Sequence, residues 1–177
     1  MSIQEVRDLL ERYAKRYPNE RGIAERFLAL LKHPDAFQRT HLPGHITGSA
    51  FIVSEDSKRT LLVHHAKLNR WLQPGGHADG DTDVIRVARR EGEEETGIMN
   101  LTLASADIHD LDIHPIPARK DFPCHDHYDV RFLFKASDRE KIVISEESHD
   151  VKWVPFDDLE SYNQEGSVLR LREKFRR

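Results

Sequence analysis

The sequence predicts an α/β (α+β) fold: a mixed β-sheet packed between helices, with an N-terminal helical extension. Three features lead there. Apolar residues recur at helical spacing through the first 38 residues. From residue 46 onward, short β-branched and aromatic runs replace that period. One acidic helix, at about residues 83–96, interrupts those runs. Residues 1–40 are therefore expected to form the extension and residues 41–177 the sheet domain.

The elements follow in order. Ile3, Val6, Leu9, Leu10 and Tyr13 define a first helix, and Ile23, Phe27, Leu30 and Leu31 a second. Pro18-Asn19 punctuates between them, and Pro34-Asp35 ends the second. Strands are expected at 46–53 and 60–65, with a turn at 55–58 between them. One or two more lie within 101–116, a clear one spans 128–134, and short ones fall at 141–144 and 151–154. A last helix covers about 167–175. His41 and His45 bracket Pro43-Gly44 and are expected in a turn, while one of His64 and His65 should point into the core.

A chain of 177 residues and 20.6 kDa fits one domain. With 31 acidic against 27 basic residues the formal charge is −4, which argues against a strongly basic nucleic-acid binder. No apolar run approaches the roughly 18 residues of a membrane span. The opening residues carry acids and no apolar stretch, so a secretory signal is not expected. The lone Cys124 cannot form an internal disulfide, fits a cytoplasmic location, and is expected to be an inert thiol.

The informative segment runs from Gly75 to Ile98. Asp81 or Thr82 can cap its helix, with Asp83 in the first turn and Gly97 at the C-terminal stop. Val84, Val87 and Ala88 form an apolar stripe, and the same stripe continues into Glu91, Glu94 and Glu95. Like charges at these spacings repel by roughly 0.2–0.5 kcal/mol per pair. Anions in the last turn also oppose the helix dipole, at roughly 0.3–1 kcal/mol each. A hard divalent cation reverses the sign of both terms, because Mg²⁺ prefers converging oxygen ligands. A solvated acidic helix end is the competing reading. Gly92, in mid-helix, points to a close backbone approach.

The whole pattern resembles the Nudix box, G-x5-E-x7-R-E-U-x-E-E-x-G-U, where U is aliphatic. Gly76 falls on its first position, Arg90-Glu91 on R-E, Glu94-Glu95 on E-E and Gly97-Ile98 on G-U. Trp71-Leu-Gln-Pro-Gly-Gly76 is similar to the family's lead-in, and the stretch from Glu147 through Trp153 to its downstream segment. Two positions depart: Thr82 stands where the box has Glu, and Gly92 where it has an aliphatic residue. In the family the first glutamate is chiefly a partner of the box arginine, so Asp79, Asp81 or Asp83 could replace it here.

The resemblance implies a hydrolase cleaving a pyrophosphate linkage in a small nucleoside diphosphate derivative by water attack on phosphorus. It implies Mg²⁺ or Mn²⁺ on Glu91, Glu94, Glu95 and the Gly76 carbonyl, with Arg90 orienting the glutamates. Glu94 is one candidate for the general base, and Glu147 or Glu146 on the loop before Trp153 is the other. A Nudix-fold binding or regulatory module without turnover is the alternative, although a pure binder has no need of the three glutamates. An isomerase of the isopentenyl-diphosphate type shares the fold but needs a cysteine that this region lacks. No nucleic-acid or membrane partner is expected. The oligomeric state is left open, with a homodimer through the N-terminal helices or edge strands as one option.

Beside the box, His125, His127, Asp129 and Arg131 alternate and so share one strand face, with Tyr128, Val130, Phe132 and Phe134 on the core face. The polar face is expected to be a substrate floor, Arg131 holding a phosphate and a histidine stacking or hydrogen-bonding. A solvent-covered face or a His-x-His metal site are the other readings. His77, directly after the double glycine, could touch phosphate or metal.

Overall fold

The computed structural model describes residues 1–119 and 122–176. Ser2 starts the first helix: its hydroxyl accepts from the Glu5 amide at 3.2 Å, and its own N–H donates to the Glu5 carboxylate at 2.6 Å. Helix α1 (Ile3–Arg16) buries Val6, Leu9, Leu10 and Tyr13. A 3-10 turn at Pro18–Glu20 leads into α2 (Arg21–Leu30), which buries Ala24, Phe27 and Leu30. The sheet domain follows as β1 (Gly44–Ser54), β2 (Arg59–His65), β3 (Arg70–Leu72), β4 (Gly75–His77), α3 (Val84–Thr96), β5 (Thr102–Leu103), β6 (Asp110–Ile116), β7 (His125–Ala136) and β8 (Ser148–Pro155). Helices α4 (Leu159–Tyr162) and α5 (Gly166–Phe175) close it.

Strand β1 is the spine, and all 11 of its residues are buried. It runs parallel to β7 from Gly44↔Asp126 to Ser54↔Ala136. Its other edge is shared by β4, antiparallel over Thr47↔His77 to Ser49↔Gly75, and by β2 at Val53↔Thr60. Strand β7 carries β6 and β5 on its far edge, and β2 pairs with β8 and β3.

Period-2 alternation sorts the core into two layers. Ile46, Ala50 and Ile52 of β1 join Val130, Phe132 and Phe134 of β7 beneath α1, α2 and α3. Phe51 and Val53 face the other way and pack with Phe156, Leu171 and Phe175. The sheet thus lies between α3 with the N-terminal helices and α5.

Five expectations change. Residues 141–144 form no strand: the Val143 N–H donates to the Thr96 carbonyl at 2.9 Å, so this run covers the C-terminal end of α3 instead of joining a ladder. The N-cap of α3 is Asp83, whose side chain accepts from the Arg86 N–H, while Asp81 accepts from the Asp83 N–H at 2.8 Å. His45 is not in a turn but is the second residue of β1, fully buried. Neither His64 nor His65 is a core residue; both stay partly exposed, and His64 stacks on Trp71 at 4.9 Å. Helix α2 ends at Leu30, before Pro34.

Gly92 sits where α3 meets the sheet. A Cβ there would stand 2.7 Å from Leu101 Cδ1 and 3.2 Å from the Ala50 Cβ. Gly92→Ala is expected to lower the melting temperature. Overpacking of about 1–3 kcal/mol outweighs the roughly 1 kcal/mol gained in helix propensity. A thermal melt checks this, and a raised midpoint would mean that Leu101 yields.

Candidate active site

The sheet positions α3 by direct backbone approach. A Cβ on Gly48 of β1 would lie 2.9 Å from Val87 Cγ1 and 3.1 Å from the Ala88 nitrogen, so a larger residue would lift the helix away. One turn further on, the helix passes β4. A Cβ on Gly76 would stand 2.5 Å from Glu91 Oε2, and the Gly75 N–H donates to Glu95 Oε2 at 3.2 Å. Gly76 thus leaves the space that the Glu91 carboxylate occupies, while Gly75, whose Cβ would strike Ser49, offers Glu95 its N–H. Arg90 ties the same strand to the helix: Nη2 donates to the His77 carbonyl at 2.9 Å, and Nη1 lies 2.8 Å from Glu91 Oε1 and 3.4 Å from Glu94 Oε2.

This arrangement concentrates negative charge. Burial pushes Glu91 up to about 7, further raised by Glu94 and Glu147 against the pull of Arg90. Burial likewise pushes Glu95 up to about 8, with Glu91, Glu147 and Glu94 adding to it. Glu94 is the open member of the group, its side chain 61% exposed. Glu147 reaches the group from the loop before β8, where its carbonyl accepts from the Ala66 N–H at 2.9 Å. Arg39 supplies the opposing field: it pairs with Asp79 and is felt by Glu91 and Glu147. No spacing rule in the sequence points to Arg39, which comes from the connection between α2 and β1.

All donors in this group are oxygens, and the cation that pairs with Glu91 and Glu94 is Arg90. That donor set fits a hard dication such as Mg²⁺ or Mn²⁺. It also makes folding of the metal-free chain proton-linked. Unfolded glutamates ionise near 4.5, whereas folded Glu91 and Glu95 ionise near 7 and 8. Their stabilising contribution is thus full below about pH 4.5 and is lost as pH rises to 8. Mg²⁺ is expected to raise the melting temperature more at pH 8.5 than at pH 5.5. Equal shifts at both would remove these carboxylates as ligands.

The profile of the NUDIX domain matches residues 44–173. The chain belongs to the NUDIX family. No curated protein sequence matches it at a significant level. Among solved structures, it is similar to a C. elegans Ap4A hydrolase in a binary complex (TM-score 0.60, 22% identity, covering 74% of this chain and 94% of that one). It is similar to the E. coli dihydroneopterin triphosphate pyrophosphohydrolase (TM-score 0.59, 18% identity, 73% and 93%). It also resembles the NUDIX domain of Shewanella oneidensis NrtR in complex with ADP ribose (TM-score 0.55, 20% identity, 74% and 85%). At these identities the likeness speaks for the fold.

The NUDIX box departs at Thr82 without a substitute acid. Thr82 Oγ1 donates to the Met1 carbonyl at 2.5 Å. Asp79 is taken by Arg39, and Asp81 and Asp83 by Arg86. None of the three pairs with Arg90, whose partners are Glu91, Glu94 and the His77 carbonyl.

The strand face expected as a substrate floor divides in two. At one end His125 and His127 meet His77, with ring centroids 5.0 Å apart for His77 and His127 and 5.2 Å for His125 and His127. His45 joins them, a residue that periodicity alone could not place. Burial, Arg39 and His45 lower His77 to about 4, and burial with the neighbouring imidazoles lowers His127 to about 2.

At the other end, Asp129 and Arg131 are withdrawn from solvent, which corrects the expected phosphate role of Arg131. Its side chain is 3% exposed, and Nε donates to Asp129 Oδ2 at 2.7 Å. Nη1 reaches Asp110 Oδ2 at 3.2 Å and the Ser167 carbonyl at 2.8 Å, and Nη2 reaches Asp112 Oδ2 at 3.2 Å. Asp129 also accepts from Thr47 and Ser49 of β1. Four of the five guanidinium N–H donors are committed in this way, and burial keeps the side chain from a substrate phosphate. Cys124 is exposed and free.

Proposed function

We propose that this NUDIX protein is a metal-dependent pyrophosphohydrolase that cleaves a pyrophosphate linkage in a nucleoside diphosphate derivative. One observation carries the reading: half-buried Glu91 and buried Glu95, both raised in pKa, are brought onto the Gly75-Gly76 strand within the field of Glu94 and Glu147. Mg²⁺ or Mn²⁺, when bound, screens the diphosphate charge, polarises phosphorus and lowers the pKa of an attacking water. Glu91, Glu94, Glu95 and the Gly76 carbonyl would hold the ion. Arg90, anchored on the His77 carbonyl, keeps Glu91 and Glu94 turned toward one another. Glu94 takes the proton from the attacking water, with Glu147 as the competing acceptor.

The similarity to an Ap4A hydrolase, to a dihydroneopterin triphosphate pyrophosphohydrolase and to an ADP-ribose-bound domain supports a substrate in the nucleotide class. Phosphate release from a panel of ADP-ribose, nucleotide sugars, nucleoside triphosphates and dinucleoside polyphosphates tests the reading. Turnover is expected with Mg²⁺ or Mn²⁺ and should vanish in EDTA. Ligand binding without turnover across the panel would make this a binding module instead.

A further inference from the structure

Four histidines from three strands meet on the face of β1 that points away from α3. The register sets His45 of β1 opposite His127 of β7, and His77 of β4 opposite Thr47. One ring nitrogen from each of His45, His77 and His127 lies within 4.8 Å of the other two. His125 flanks this trio: its Nε2 is 3.3 Å from His127 Nε2, and its ring stacks on His45 at 5.0 Å.

Hydrogen bonding determines what these nitrogens offer. His45 Nδ1 faces the His41 carbonyl at 3.3 Å. A carbonyl only accepts, so Nδ1 carries the proton and Nε2 presents a lone pair. That Nε2 is buried without a partner among the described residues, on a side chain with no exposed surface. His125 repeats the arrangement, with Nδ1 2.9 Å from the Pro123 carbonyl and its Nε2 lone pair turned toward His127. A buried acceptor left without a donor is costly, because it has lost its water and gained no partner. The His125 lone pair can accept from His127 Nε2–H in the metal-free chain, which leaves His45 Nε2 as the unpartnered acceptor, and a group that accepts electron pairs is its complement.

We propose that His45, His77 and His127 bind a transition-metal dication of the Zn²⁺ class, with His125 at the fourth position. Imidazole nitrogen suits Zn²⁺ and its neighbours, not Mg²⁺, which takes oxygen. Zn–N bonds of about 2.0–2.1 Å in a tetrahedron set the nitrogens about 3.4 Å apart. The His125–His127 pair already stands at 3.3 Å, and rotation of the rings closes the 4.8 Å limit of the others. The backbone carbonyls on His45 and His125 are the outer partners that fix the tautomer of a metal-ligating histidine. The site is separate from the glutamates. Gly76 lies against Glu91 on the α3 side of β4, whereas His77 turns to the other side.

The test uses the full chain stripped of metal and then held in saturating Mg²⁺, which occupies the oxygen site. Zn²⁺ is added by calorimetric titration, and Co²⁺ in a parallel sample followed by visible absorption. One equivalent of Zn²⁺ should bind over Mg²⁺, and Co²⁺ should give the intense visible bands of a tetrahedral site. His77→Gln and His127→Gln should weaken that binding at least ten-fold, while Glu95→Gln should retain it. Two results overturn the proposal. One is no Zn²⁺ binding once Mg²⁺ is present. The other is an equivalent that survives both histidine substitutions and disappears in Glu95→Gln. If a histidine variant does not fold, the Co²⁺ spectrum of the unaltered chain decides: weak octahedral bands count against the site.

Discussion

Glu94→Gln is expected to lower turnover by about 10²–10⁴-fold at saturating Mg²⁺. The amide keeps the shape of the side chain and its reach to Arg90 but can neither accept a proton nor lend charge to a cation. Glu94 is the most exposed of the three box glutamates, so its loss should leave the melting temperature nearly unchanged. Glu147→Gln, on the loop before β8, is expected to cost far less. Steady-state rates for both variants over a range of Mg²⁺ concentrations separate the roles. A metal ligand is partly rescued by more Mg²⁺, whereas a proton acceptor is not. If Glu147→Gln alone abolished turnover, the base would lie on the loop and Glu94 would be only a ligand.

The largest stability effect is expected at Arg131. Arg131→Met leaves Asp110, Asp112 and Asp129 buried or nearly so without their shared cation. Breaking a buried pair by removing one partner costs about 3–5 kcal/mol, and urea unfolding at pH 7 should show a loss of that order. The pH dependence has a definite sign. Burial alone would raise Asp110, but Arg170, Arg131 and Lys174 hold it below its usual range. Asp112 is likewise depressed, by His114, Arg131 and Arg170 against burial. A depressed carboxylate contributes stability above its unfolded value near 3.8 and loses it as pH falls through the folded value. The deficit of Arg131→Met should therefore be full at pH 7 and narrow below about pH 4, as Asp110 and Asp112, which keep Arg170 as a partner, regain their protons. A deficit independent of pH would mean that Arg131 acts through packing alone.

These two effects differ in how far the sequence discloses them. The box glutamates were legible because one helix carries them at fixed offsets, and the double glycine that receives them lies in the same motif. The paired N-terminal helices and the strands around Phe51, Leu62 and Phe132 were legible for a similar reason, since each run is long enough to show its period. Strands β3 and β4 span three residues apiece, too few for alternation to register. The run 141–144 shows the reverse failure, having strand-forming residues that are used to cover a helix end. Arg131 misled because alternation gives the face of a residue but not what else occupies that face. Asp110 and Asp112 reach it from β6 only through the β6–β7 register. His45 was hidden for the same reason, since its neighbours arrive from β4 and β7.

Asp110 also joins the two ends of the fold. Lys174 of α5 donates to its Oδ1 at 2.6 Å and to the Tyr13 hydroxyl of α1 at the same distance, and Glu20 receives the same ammonium. The opening and closing helices are thus latched to one oxygen in the middle of the chain. Neither can peel away without stranding a charge that the other needs. Their amides should exchange with solvent as a single cooperative unit, and fraying inward from one terminus would have to wait for the other to let go.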